Sequence, residues 1–224
     1  MYTKCLLLLA AFTSCVHGAT LTFDNLNANG DAAYGIRGND GVLVTTANGY
    51  TGVLGTFTIS DSAVTSNFQA GNLAAIQSGF SAFDPVNGTF DLDTFGPGAF
   101  QASESFDTRA SSNALGGASI YAVFYKGSSI GSSTEIFIAK LNSLFPTDPD
   151  VGLALTGNAS LTPTNVSSIL VGTTGAPHDF GIGGGALPTY QLSGVPEPSR
   201  ALILGAGLFG LFAARNRRRK PIVD

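Results

Sequence analysis

The chain has 224 residues, a formal net charge of −4, 29 glycines, two cysteines, no tryptophan and only 12% charged side chains. That length fits one domain with one sizeable core, and a charged fraction far below the roughly 25% of an average soluble domain suits short strands and turns. Between Thr20 and Gly194 the four basic residues Arg37, Arg109, Lys126 and Lys140 face thirteen acidic ones. Nucleic-acid binding needs clustered Lys and Arg against phosphate, so nucleic acid is excluded as a partner.

Residues 1–19 read as a signal peptide. MYTK carries one positive charge, CLLLLAAF is apolar but too short to span a bilayer, and TSCVHGA offers small residues for cleavage after Gly18 or Ala19. Export through the Sec translocon, with removal of the leader by signal peptidase, is the expectation. FTSC at 12–15 is only a loose lipobox, with phenylalanine in its first position, and a lipid on Cys15 is set aside. Cys5 and Cys15 both lie in the leader, so the mature chain holds no disulfide, thiolate nucleophile or cysteine metal ligand. That is normal for a bacterial surface protein, and the N-x-[ST] triplets at Asn87, Asn158 and Asn165 carry little weight as glycosylation sites.

From 20 to 194 apolar and polar residues alternate in short runs, the period-2 sign of half-buried strands. The runs are TLTF at 20–23, GVLVT at 41–45 and VLGTFTI at 53–59. One segment breaks the rhythm: Leu73, Ile76, Phe80 and Phe83 form a helical stripe ending before Pro85, and the spacing predicts one short amphipathic helix capping an end of the sheet. The runs SIYAVFY at 119–125 and TEIFIAK at 134–140 flank KGSSIGSS, a hairpin at the heart of the sheet. Shorter strands are expected at 153–155, 168–171 and 189–192, and the segment 175–188 as a flexible loop. The expectation is a mainly β, antiparallel sandwich-like ectodomain of about seven to nine strands.

Chemistry is sparse. Gly127-Ser128-Ser129-Ile130-Gly131 matches the nucleophile pattern G-x-S-x-G, and Asp150 and His178 follow in hydrolase order. The elbow requires a strand entering a helix, however, and here TEIFIAK follows, so a hairpin loop explains the same residues. His178 is the only histidine after the leader, which removes a His-cluster metal site. Asp91 and Asp93, and Asp148 and Asp150, are D-x-D pairs in loops, but neither completes a calcium loop with a distal glutamate. Two carboxylates about 5–10 Å apart across a cleft would be needed for glycoside hydrolysis, which sequence does not place. Without tryptophan, stacking on a sugar would fall to Tyr or Phe. Tyr34, Ile36 and Arg37 read as strand residues beside a turn, and the glycine-rich stretch 181–186 reads as a loop because a strand rather than a helix follows it.

The most specific signal is C-terminal. ALILGAGLFGLFAA at 201–214 has no charged or hydrogen-bonding side chain. As a transmembrane helix it is only about 21 Å long at 1.5 Å per residue, short of the ~30 Å hydrocarbon core, and Arg200 and Arg215 must snorkel. Arg215, Arg217, Arg218, Arg219 and Lys220 then mark the cytoplasmic side, so the preceding domain faces outward. Gly205, Gly207 and Gly210 do match G-x-G-x-x-G, but only fourteen residues remain after Gly210, too few for a dinucleotide-binding βαβ unit. They are small residues of a membrane helix. No cofactor is expected.

Val195-Pro196-Glu197-Pro198-Ser199, the apolar run and the basic cluster together resemble a PEP-CTERM sorting signal, found on exported proteins of Gram-negative, exopolysaccharide-producing bacteria. The resemblance covers 195–220, with the motif at 195–199, the helix at 201–214 and the basic tail at 215–220. It implies that exosortase, an integral-membrane cysteine peptidase, recognises Pro196, Glu197 and Pro198 and passes the protein from a membrane-anchored intermediate to the cell surface or extracellular matrix. One departure is Pro-Ile-Val-Asp at 221–224, after the basic cluster where many members stop. The expectation is therefore a non-catalytic surface or biofilm-matrix protein with exopolysaccharide as a candidate partner. A glycan- or ligand-binding module, calcium-assisted, is the alternative, and an exported serine hydrolase has the least support.

Overall fold

In SIYAVFYK the side chains of Ile120, Ala122 and Phe124 point to one face of a strand and those of Tyr121, Val123 and Tyr125 to the other, and all six are buried. A strand buried on both faces must lie inside a layered structure, and its neighbours show which layers. The structure is a computed structural model and describes residues 19–83, 89–106, 116–145, 156–181 and 183–197. In chain order these form β1 (Ala19–Asp24), β2 (Ile36–Arg37), β3 (Tyr50–Phe57), α1 (Asp61–Gln69), α2 (Leu73–Gly79), β4 (Phe80–Ala82), β5 (Thr89–Phe90) and β6 (Gln101–Phe106). They continue with β7 (Ser119–Lys126), β8 (Glu135–Leu144), β9 (Thr156–Ser160), β10 (Val166–Val171), β11 (Thr173–His178), β12 (Leu187–Gln191) and β13 (Ser193–Gly194). The fold is mainly β.

The main sheet has the order β10-β8-β7-β3-β4, with β5 added to β3 and β13 to β8, and every pairing in it is antiparallel. Its core is the expected hairpin, with Lys126 opposite Glu135 and Tyr121 opposite Lys140. Two three-stranded sheets, β6-β1-β9 and β11-β12-β2, complete the β structure among the described residues. They depart from the purely antiparallel expectation, since β1 runs parallel to β9 and β12 parallel to β2.

One face of the main sheet contributes Leu54, Ile120, Phe124, Phe137 and Leu141 to a core shared with Leu21 and Phe23 of β1, Ala159 of β9 and Tyr190 of β12. Phe23, Phe90, Phe100 and Phe124 interlock there with ring centroids 5.1–6.5 Å apart. Each such ring contributes about 1.5–3 kcal/mol by leaving water. The opposite face supplies Val53, Tyr121, Val123, Ile136 and Ile138 to a second core closed by Val64, Leu73 and Ile76 of the helices.

The helical region corrects the sequence reading in three ways. Among the described residues there are two α-helices, not one. Ser60 caps α1, its hydroxyl accepting from Ala63 N, and Asn72 caps α2 by accepting from Ala75 N. Leu73 and Ile76 are buried on α2, but the helix ends at Gly79; Phe80 already belongs to β4, and Phe83 packs in the other core against Phe145, 5.1 Å away. Finally, the helices cover a face of the main sheet rather than one of its ends.

Elsewhere, 41–45 is not a strand: Leu43 makes only an isolated bridge to Arg37, in a turn where Gly41 has φ +79°. The expected loop at 175–188 begins as β11, which pairs with β12 from Thr173 to His178. Gly172, at φ +100°, carries the chain from the main sheet into β11, and a Cβ there would collide with the Phe137 ring. The expected strand at 153–155 lies outside the described residues, as does the apolar segment 201–214. Among the described residues no helix is long and apolar enough to cross a membrane.

Candidate functional site

The two-residue strand β13 carries almost no side-chain pattern, yet it fixes the course of the chain into Val195. Ser193 pairs with Ile136 and Gly194 with Glu135, and Val195 N donates to Thr134 O at 3.0 Å. Val195 also packs, partly buried, against the helix-covered core. Pro196 is half-buried and Glu197 is exposed. The ladder thus ends one residue before the Pro196-Glu197 pair, and β13, antiparallel to β8, points toward the tip of the β7–β8 hairpin. Pro198, Arg215, Arg217, Arg218, Arg219, Lys220 and Gly18 lie outside the described residues, whereas Ala19 is the first residue of β1.

A polar constellation unreadable in the sequence borders β13. Glu135, opposite Gly194, accepts from Asn39 N at 2.7 Å and from the Tyr50 hydroxyl at 3.1 Å, and pairs with Lys126 at 3.3 Å. The Lys126 ammonium lies 4.9 Å from the centroid of the Tyr50 ring. Burial, opposed by Lys126 and reinforced by Glu135, raises the Tyr50 phenol above its ordinary value, and the bonds from Tyr50 and Glu135 raise Lys126. Through Glu135 the cluster ties β3, β7, β8 and the turn at Asn39 together.

A matching cluster joins α1 to the sheet. The Tyr121 hydroxyl donates to Asp61 Oδ1 at 2.5 Å, and Lys140 Nζ lies 3.0 Å from Asp61 Oδ2. Partial desolvation pushes the Asp61 carboxyl up, but the bonds from Tyr121 and Lys140 outweigh it and hold the group below its usual value. Two Tyr–carboxylate–Lys sets therefore brace opposite ends of the β7–β8 ladder. The signal that could have found them is the cross-strand register of Tyr with Lys, which is available only once the pairing is known.

The predicted hydrolase residues are not assembled as an elbow. Ser129 sits in the β7–β8 loop before a single 3-10 turn, Ile130–Ser132, and its hydroxyl shares a 2.9 Å hydrogen bond with Ser132. His178 ends β11, its ring 4.6 Å from that of Phe180, and Asp150 lies outside the described residues. Asp91 and Asp93 are brought together: a hydrogen bond between their carboxyls, with another from Thr46, holds Asp91 low, and the same shared bond with desolvation raises Asp93. Among the described residues no group of three or more His, Cys, Asp or Glu side chains converges on one point. The Asp148 and Asp150 pair and Asn87 lie outside the described residues.

Ile36 is fully buried and Tyr34 packs against the same core, while Arg37 Nε donates to Thr189 Oγ1 at 3.1 Å, so all three serve the fold. Gly181, Gly183 and Gly185 have positive φ in an exposed loop that leads into β12. Compared with protein-family models, with curated proteins and with solved structures, the chain matches none.

Proposed function

We propose that the chain is an exported, non-catalytic surface or matrix protein of a Gram-negative bacterium, a β-sandwich-like ectodomain sorted by exosortase at Pro196, Glu197 and Pro198. The observation that carries this reading is the order VPEPS, uncharged apolar run, basic cluster at 195–220. In that arrangement 201–214 is a transmembrane helix with its basic flank in the cytoplasm, and the anchored form is an intermediate on the way to the cell surface or matrix.

The fold supports the reading in a specific way. Described backbone pairing runs from Ala19 to the Val195–Thr134 bond, next to the proposed leader cleavage point at one end and the proposed sorting motif at the other. A peptidase acting at or after Pro196 would cut no strand of the sheets. Pro196 and Pro198 restrict φ and keep the chain extended, the form in which proteases take substrates. Exopolysaccharide is the natural partner of such a displayed domain.

Intact mass of protein extracted from the surface of cells with an active exosortase tests the proposal. A mass ending close after Pro198 is expected, and any adduct on the new terminus reveals the acceptor. A C-terminus at Asp224 would refute processing.

A further inference from the structure

We propose that the domain turns the β7–β8 hairpin end of its main sheet toward the bilayer and lays the loop 127–133 against phospholipid headgroups while it remains anchored. The inference rests on the reading of 201–214 as a membrane helix and adds an orientation and a lipid-facing surface to it.

Direction comes from β13. Because it is antiparallel to β8 and meets Ile136, then Glu135, then Thr134 in that order, the chain leaves the sheet heading for the hairpin tip. Reach comes from the tether. Only the five residues 196–200 separate Val195, whose N–H bonds Thr134 O, from the apolar run, and fully extended they span at most about 18 Å. The far end of the same ladder, where Leu144 lies opposite Ser119, is nine residues along β8 from Glu135, about 30 Å away. A tether of that length cannot let both ends visit the membrane equally.

The chemistry of the near end fits lipid. Residues 127–133 are Gly, Ser, Ser, Ile, Gly, Ser and Ser, with no charged side chain to be repelled by an anionic leaflet. Ser128 is exposed, and a serine hydroxyl can donate to phosphate or ester oxygens. The nearest charges, Lys126 and Glu135, neutralise one another at 3.3 Å. Gln77 of α2 accepts from Gly131 N at 2.6 Å and holds the loop to the helix layer, so it is presented in a fixed pose.

The test uses the full chain with Cys5 and Cys15 changed to Ser, and a single fluorophore-labelled cysteine in place of either Ser128 or Leu144. The protein is reconstituted into vesicles of phosphatidylethanolamine and phosphatidylglycerol carrying a headgroup-nitroxide lipid. Quenching several-fold stronger at 128 than at 144 is expected, and a long Gly/Ser linker inserted after Val195 should erase the difference. Equal quenching at the two positions in vesicle-bound protein, or stronger quenching at 144, would overturn the orientation alone. Failure of the chain to float with the vesicles would overturn the membrane-helix reading and the orientation with it.

Discussion

The Lys140 ammonium lies 3.0 Å from the Asp61 carboxylate, across 79 residues of sequence, and this pair pins the first turn of α1 to the sheet. The contact is partly exposed, so solvent screening limits the ion pair itself to less than about 1 kcal/mol. The hydrogen bond from Tyr121 to the same carboxylate adds to it.

Asp61 is held below its unfolded value, so its contribution is present above the unfolded pKa and disappears as pH falls through the lower, folded one. Denaturant midpoints of the wild type and Asp61→Asn should therefore differ by a constant amount above about pH 5 and converge in more acidic solution. A gap independent of pH down to the acid limit would mean that the carboxylate charge plays no part.

Asn25 is completely buried and makes three side-chain bonds: Nδ2 donates to Gly98 O at 2.7 Å and to Tyr34 O at 3.0 Å, and Oδ1 accepts from Phe100 N at 2.9 Å. Replacing it with Ala leaves Phe100 N without its side-chain acceptor and removes a donor from Tyr34 O and from Gly98 O, the last of which keeps Ile36 N, at a cost of about 1–3 kcal/mol. Urea denaturation of Asn25→Ala checks this; a loss within the ~0.5 kcal/mol scatter of surface substitutions would contradict it.

Tyr190 presents the opposite case. Its ring packs 5.4 Å from that of Phe137, and its buried hydroxyl has no hydrogen-bond partner. Burial, with the nearby Tyr34, pushes the phenol up to about 12. Because the folded value exceeds the unfolded one, the stability linked to the neutral phenol is complete below about pH 10 and is lost as pH climbs toward 12. Tyr190→Phe should be neutral or stabilising at pH 7, by up to about 1–3 kcal/mol, and should move the alkaline unfolding midpoint upward. A destabilised variant would place an unrecognised partner on that hydroxyl.

Ser129→Ala and His178→Ala should each change stability by no more than about 0.5 kcal/mol. Any ester or peptide hydrolysis found in the purified protein should survive both. Loss of such activity in either variant, with the fold intact by circular dichroism, would revive the hydrolase reading.

The β7–β8 hairpin was legible because IYAVFY and IFIA are continuous apolar runs and the turn between them is rich in glycine and serine. α1 was not. In DSAVTSNFQ only Val64 is buried, so no stripe advertises the helix; the Ser60 cap and distant Lys140 hold it. Leu21 and Phe23 marked β1 as a strand, but alternation says nothing of a partner's direction, and its parallel neighbour β9 could not be foreseen. The sorting motif is visible as local composition. The docking of Ser193 and Gly194 beside it is invisible, because two small residues held by backbone pairing leave no trace in a hydropathy pattern.

β1, the first of the described strands, is also the middle strand of its sheet. Leu21 lies between Glu104 of β6 and Gly157 of β9, and both partners come much later in the chain. Closing such long loops is slow, and pairing cannot begin before the partners exist. In a chain threaded outward from its N-terminus, β1 would emerge first and wait for β9, so this sheet could not close until most of the polypeptide had crossed. Translocation would thus be spared a race against folding by the order of the strands alone.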